Sequence, residues 1–278
     1  MKNPMAFKAF IKQKSLELKI PAQVMMQNYM FERFLIRLEK SPYCRKFIIK
    51  GGFLVSSLVG ISARTTMDLD ITIQGIPLHV DNVESIINEI LKARVDDEID
   101  FRYVSVEEIR ATDDYPGLRV KLEAIYGTII VPLKLDLTTG DILTPDSIRY
   151  SYPMFSENKT IHLFSYNVET VLAEKLETIL SRSVLNTRPR DFYDVFLLAR
   201  MFKTSINLNV LREALQNTSE KRGTQKQVSD YLRIIEAIEK DDQMVRNWKK
   251  FQNQFGFSKE ISFEETIRSV RNLLASLR

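Results

Sequence analysis

Asp68 and Asp70 stand one residue apart in the run Met67-Asp68-Leu69-Asp70-Ile71-Thr72-Ile73, where Leu69, Ile71 and Ile73 alternate with polar neighbours. In a half-buried strand this alternation sends both carboxylates to one face. Two like charges so close repel each other unless a cation lies between them. A hard divalent ion with oxygen ligands removes that penalty, and magnesium is the usual occupant where substrate phosphates complete the shell. An Asp-x-Asp pair alone also occurs as a structural or solvated feature. Asp136 sharpens the reading: Ile129, Val131, Leu133, Leu135 and Leu137 form one apolar side, and Lys134 and Asp136 fall on the other. If the two strands are neighbours, Asp68, Asp70 and Asp136 converge as three acids around a metal.

Ahead of these acids lies Gly51-Gly52. The chain has only 9 glycines in 278 residues, about half the usual frequency of ~7%. Two together at a strand-to-helix turn leave backbone N–H groups at a helix N-terminus, where unpaired amides and the helix dipole hold phosphate. A tight turn needing positive φ is the alternative account. Ser56 and Ser57 add hydroxyl donors in the next turn, or simply a polar helix face.

Two positions further on break apolar helical stripes. Lys175 shares a face with Val171 and Ile179, and Asp191 shares one with Val195 and Leu198. The two can pair with each other. The plainer alternatives are a lysine stem snorkelling over the bundle surface and a first-turn acid favoured by the helix dipole. Asp194 and Arg190 fall on what reads as the solvated side, and His79 and His162 have no partner cluster.

The elements that must position these groups can be read from periodicity. Helical spacing predicts helices over 4–19 and 23–38, a short strand over 47–49, and a compact helix over 53–59 ended by Gly60. A strand over 68–74, a helix near 82–93 and strands near 99–106, 118–125 and 128–137 follow. After a loop carrying Gly140, Pro145 and Pro153, almost everything from Asn167 onward reads as helix. Asn167 caps a helix to Arg182 and Pro189 opens one to about Phe202. Others lie near 208–216, 225–240 and 244–251, and Ser262 with Glu265 forms a capping box for the last. The fold class expected is α+β: a domain of residues 1–160 with a mixed sheet and packed helices, then a helical bundle of 161–278.

Composition narrows the possibilities. The single Cys44 excludes an internal disulfide, and with His79 and His162 it cannot build a Cys/His zinc cage, so any metal must be held by oxygen. No segment approaches the ~18 uninterrupted apolar residues of a membrane span, and Met1 to Ser15 shows no apolar leader core, so the expected location is cytoplasmic with no membrane partner. The net charge of +4 is unevenly spread: residues 1–50 carry 11 Lys/Arg against 3 Asp/Glu, and residues 51–150 carry 9 against 17. Such polarity suits a protein that gathers a polyanion on one surface and cations on another, though helices with solvated lysine faces give the same pattern.

The run Lys50-Gly51-Gly52 followed by Arg64-Thr65-Thr66-Met67-Asp68-Leu69-Asp70-Ile71 resembles the glycine and Asp-x-Asp signature of polymerase-β-like nucleotidyltransferases, in the form seen in the AbiEii/AbiGii toxin family. Glu169 to Leu176, containing Glu174-Lys175, is similar to that family's Glu-and-Lys helix motif, and Arg188-Pro189-Arg190-Asp191-Phe192-Tyr193-Asp194 to its arginine-aspartate motif. Phe53 departs from the pattern, standing where a small hydroxyl residue is frequent. The resemblance implies a polymerase-β-like first domain and a type IV toxin–antitoxin or abortive-infection (phage-defence) toxin with a cognate antitoxin encoded beside it. It further implies transfer from a nucleoside triphosphate to an RNA acceptor such as the tRNA 3′ end. In that reading Asp68, Asp70 and Asp136 hold Mg2+ in a one- or two-metal site, with Mn2+ able to replace it. Lys50, Gly51, Gly52, Ser56, Thr66 and Lys175 bind the nucleotide, and Lys175 and Asp191 complete the catalytic set. Rival readings are a protein-hydroxyl nucleotidylyltransferase and a non-catalytic NTP- or RNA-binding module on the same fold.

Overall fold

The computed structural model describes residues 3–109 and 117–277. The chain divides into two compact units, one made of Met1–Asp141 with Ile148–Ser165, the other of Ile142–Ser147 with Tyr166–Arg278.

The first unit opens with α1 (Pro4–Leu18), whose N-terminus is capped by the Asn3 side chain accepting from the Ala6 N–H, and α2 (Ala22–Lys40), which starts after Pro21. There follow β1 (Phe47–Lys50), α3 (Gly51–Val59), β2 (Leu69–Ile73), α4 (Val80–Leu91), β3 (Asp100–Ile109), β4 (Gly117–Tyr126), β5 (Ile129–Thr139), β6 (Ile148–Pro153) and β7 (Thr160–Ser165). The seven strands form one mixed sheet in the order β3-β4-β5-β2-β1-β7-β6. The β2–β5 and β1–β7 pairs are parallel and the rest antiparallel. Helix α2 supplies Met30, Phe31, Phe34, Leu35 and Leu38 to the core, all fully buried. Each such side chain contributes roughly 1.5–3 kcal/mol of apolar burial. In β2 the alternation behaves as expected: Leu69 and Ile71 are fully buried and Asp70 is half-buried.

The second unit is helical: α5 (Val168–Arg182), α6 (Pro189–Met201), α7 (Leu208–Lys221), α8 (Gln225–Ser229), α9 (Tyr231–Lys240), α10 (Asp242–Gln254) and α11 (Phe263–Ala275). Its caps follow the sequence signals. Asn167 accepts from the Thr170 N–H at 2.7 Å, Pro189 opens α6, and Ser262 and Glu265 close a reciprocal capping box. Helix α5 packs against α6 and α7, while α11 packs against α6 and α9. Segment 142–147 belongs to this unit because Thr144 is tied to it, accepting at its carbonyl from Asn167 Nδ2 (2.8 Å) and at its hydroxyl from Asn217 Nδ2 (3.0 Å).

Four expectations need correction. The helix after β1 starts at Gly51 itself rather than at Phe53. Strand β6 lies where a loop was expected, because its polar residues and Pro153 sit on an edge strand, where alternation is weak. The single helix read over 225–240 is two, broken at Asp230. The units divide after Ser165, since β7 pairs with β1, so the boundary does not fall after residue 160.

Candidate active site

The sheet register brings the expected acids together. Asp70 is the parallel partner of Asp136, Lys50 is the antiparallel partner of Asp70, and Arg119 is the antiparallel partner of Asp136. Registered partners project to the same face, so Lys50, Asp70, Asp136 and Arg119 make a row across β1, β2, β5 and β4. Asp68 immediately precedes β2, near enough to Arg119 for its charge to act on the guanidinium.

Gly51 and Gly52 build the seat of Asp70. Gly51 has φ +59°, and a Cβ there would lie 2.6 Å from Asp70 Cγ, so only glycine admits the carboxylate. The Gly52 N–H donates to Asp70 Oδ2 at 3.1 Å, and a Cβ on Gly52 would meet Arg64 Nη2 at 2.8 Å. The amide expected to be bare for a phosphate therefore orients Asp70 at the α3 N-terminus. Arg64 is buried at the same turn and donates to the Thr65 carbonyl.

Asp136 is in place by register, but its carboxylate is engaged: Arg119 Nε donates to Oδ1 at 2.7 Å and Nη2 to Oδ2 at 2.8 Å, a bidentate fork. That fork, and next the negative charges of Asp136 and Asp68, push the Arg119 guanidinium above its ordinary value against the opposing effect of burial. Among the described residues no group of three or more His, Cys, Asp or Glu is arranged to hold a metal ion. The donor set fits one divalent cation differently from the three-acid expectation. Asp68 and Asp70 are both half-buried and flank Leu69 at the start of β2, and two carboxylates with substrate phosphates make a usual magnesium shell.

Three expected nucleotide ligands are spent internally. Lys50 is buried and paired with Asp141, and it also donates to Thr138 Oγ1 at 2.6 Å. Thr72 and Thr138 donate to the same Asp141 carboxylate. Burial works to raise that carboxyl, but the charge of Lys50 and the three hydrogen bonds outweigh it and hold it at about 2. Ser56 is buried and donates to the Arg64 carbonyl, and Thr66 is buried and donates to the Asp68 carbonyl at 3.3 Å, so both shape the approach to β2. Phe53 belongs to the core, stacked on Tyr152 at 5.5 Å and edge-on to Phe31. The basic N-terminal stretch is also partly internal: Arg37 forks onto Asp97 and Arg33 pairs with Glu157, both arginines being buried.

In the helical unit, Lys175 Nζ donates to Asp191 Oδ1 at 2.7 Å, the expected pair, and lies 2.9 Å from Asp194 Oδ2. Asp194 corrects the sequence reading, because it is fully buried rather than solvated. It shares the buried face of α6 with Asp191, three residues earlier, and Val195, which the i, i+3 spacing already implies. Asp191 Oδ2 is buried with no hydrogen-bond partner, an acceptor left unsatisfied beside the ion pair. Arg190 stacks 4.5 Å over the Phe255 ring.

Arg119, Asp141 and Asp194 were not anticipated. Arg119 carried a signal: β4 and β5 join through the two-residue turn Gly127-Thr128, and counting back from it sets Arg119 opposite Asp136.

A family model described as nucleotidyl transferase AbiEii toxin, type IV TA system, matches residues 33–273. No curated protein matches the chain. Among solved structures, one described as a candidate nucleotidyltransferase from H. pylori shares 17% identity at a TM-score of 0.49, covering 92% of this chain and 94% of that one. JHP933 from Helicobacter pylori shares 19% at 0.48, covering 92% and 91%. An antigenic nucleotidyltransferase-like protein from Paracoccidioides brasiliensis shares 18% at 0.38, covering 65% and 82%.

Proposed function

The chain belongs to the AbiEii nucleotidyltransferase toxin family of type IV toxin–antitoxin systems, and on that premise we propose that it transfers nucleotides from a nucleoside triphosphate to an RNA acceptor, the tRNA 3′ end being the acceptor of choice. The observation that carries this reading is the seat of Asp70: a strand carboxylate held by the Gly52 N–H at the start of α3 and registered beside Asp136, with Asp68 just ahead of the same strand. Such a pair is suited to a magnesium–triphosphate, and a magnesium ion held by Asp68 and Asp70 would supply positive charge to the triphosphate and to the departing pyrophosphate.

The acceptor 3′-hydroxyl attacks the α-phosphorus, the bond from that phosphorus to the bridging oxygen breaks, and pyrophosphate leaves. Gly51 and Gly52 act by fixing Asp70 so that no side-chain reorganisation is needed at the moment of reaction. Once its fork with Arg119 opens, Asp136 either joins the cation's ligands, the hydroxyl proton then passing to water, or takes that proton itself. In the helical unit Lys175, held by Asp191 and Asp194, is proposed as a nucleotide-binding group on its likeness to the family's Glu-and-Lys helix motif, and Asp191 as its positioning partner.

The test is transfer from each of four α-labelled NTPs to total RNA and to total protein, with and without magnesium, by wild type and Asp70→Asn. Label in RNA that requires magnesium and Asp70 supports the reading. Label confined to protein replaces it with protein nucleotidylylation, and label unaffected by Asp70→Asn overturns the assignment of the site.

A further inference from the structure

The row Lys50, Asp70, Asp136, Arg119 has a cation at each end, and the two cations are used differently. Lys50 is buried and tied into the Asp141, Thr72 and Thr138 cluster. Arg119 is the more accessible partner of its pair, with 31% of its side chain exposed against 10% for Asp136. It covers the carboxylate from the solvent side and can withdraw without opening the core.

We propose that Arg119 is a built-in counter-ion that occupies the third carboxylate of the site, so that Asp136 serves as a cation ligand only after the guanidinium has been drawn away. The inference rests on the metal-dependent reading of Asp68 and Asp70 and extends it. The fork at 2.7 and 2.8 Å takes one lone pair on each oxygen of Asp136 and sets a full positive charge against the carboxylate, so a divalent ion approaching it meets charge repulsion while the guanidinium is there. A guanidinium carries one positive charge, so Arg119 relieves the repulsion among Asp68, Asp70 and Asp136 in part and without a metal. The triphosphate is the agent chemically suited to remove it, because phosphate offers the same planar fork an equal geometric match with a higher negative charge. Arg119 is therefore a positioning residue: it keeps the substrate-free site to the Asp68–Asp70 pair and hands Asp136 over when a polyphosphate arrives.

The experiment is Mn2+ titration of the substrate-free protein, followed by electron paramagnetic resonance of the free ion, for wild type, Arg119→Ala, Arg119→Gln, Asp136→Asn and the Arg119→Ala/Asp136→Asn double variant. Circular dichroism accompanies each, and the Gln variant serves if Ala does not fold. Removing the guanidinium adds a third anionic ligand, so Mn2+ is expected to bind about tenfold tighter or with a second equivalent, and Asp136→Asn in the same chain should cancel the gain. Wild-type Mn2+ binding in both Arg119 variants, or a gain that survives Asp136→Asn, overturns the proposal. Its failure is distinct from failure of the underlying reading, which is tested by Asp68→Asn: unchanged wild-type Mn2+ binding in that variant removes the Asp68–Asp70 metal site, whatever Arg119 does.

Discussion

The α-carbon of Gly51 stands so close to the carboxyl of Asp70 that a methyl group on the first would lie 2.6 Å from Cγ of the second. The left-handed φ of +59° at Gly51 adds a second reason for glycine. Gly51→Ala is expected to lose stability by about 1–3 kcal/mol from backbone strain and to displace Asp70, abolishing nucleotide transfer. Gly52→Ala meets only the far end of the Arg64 side chain and should be milder in thermal melts. Equal melting temperatures and full transfer in Gly51→Ala would show that the carboxylate does not need this seat.

Asp70→Asn keeps the shape and an oxygen for the Gly52 N–H while removing the charge. Thermal stability should stay close to wild type, and transfer from labelled NTP should fall by roughly 10²–10³-fold, the scale of losing a preorganised electrostatic contact at a reacting centre. Single-turnover assays beside melts separate the chemical loss from unfolding.

The legible parts of this chain were those written in local periodicity. Alternation at Leu69, Ile71 and Ile73 and along Ile129 to Leu137 set both carboxylate strands, and the caps at Asn167, Pro189 and Ser262 set helix starts. Which strands would be neighbours is not local, so the Asp70–Asp136 register could only be posed as a condition. Asp141 shows the limit more sharply. It lies past the end of β5, after Gly140, with no periodic context, yet it captures Lys50, which the motif assigned to the nucleotide. Strand β6 escaped for the same reason: it gains its hydrogen bonds from β7 and holds little apolar pattern of its own.

Two buried acids give the fold opposing pH dependences. Glu32 is fully buried, and burial raises its carboxyl to about 7 despite bonds from Ser156 and the Phe155 N–H and the charge of Arg33. Between its ordinary value of 4.5 and about 7, the unfolded chain releases this proton while the folded chain keeps it. Stability therefore falls as pH rises through that window, by about 3 kcal/mol. Asp141 is depressed from 3.8 to about 2, so its contribution is complete above 3.8 and is lost as pH falls towards 2. Denaturant titrations from pH 3 to 8 should show Glu32→Gln flattening the neutral limb and Asp141→Asn flattening the acid one. A neutral limb unchanged in Glu32→Gln would mean that its carboxyl ionises in the fold as freely as outside it.

Lys175 holds two carboxylates of the helical unit that are bonded differently. Asp194 is fully buried and 2.9 Å from the ammonium, while Asp191 uses only Oδ1 on it and leaves Oδ2 without a partner. Lys175→Met strands both acids and should cost about 3–5 kcal/mol, the penalty for breaking a buried ion pair from one side. Adding Asp194→Asn removes one stranded charge, so the double variant should recover part of that loss, and a thermodynamic cycle measures the coupling. Asp191→Asn leaves Lys175 paired with Asp194 and keeps an oxygen at the same place, so its melt should shift little. If Asp191 positions Lys175 for the nucleotide, that variant loses transfer while keeping its fold. A matching loss of stability in Asp191→Asn would instead mark Asp191 as a partner for Lys175 and nothing more.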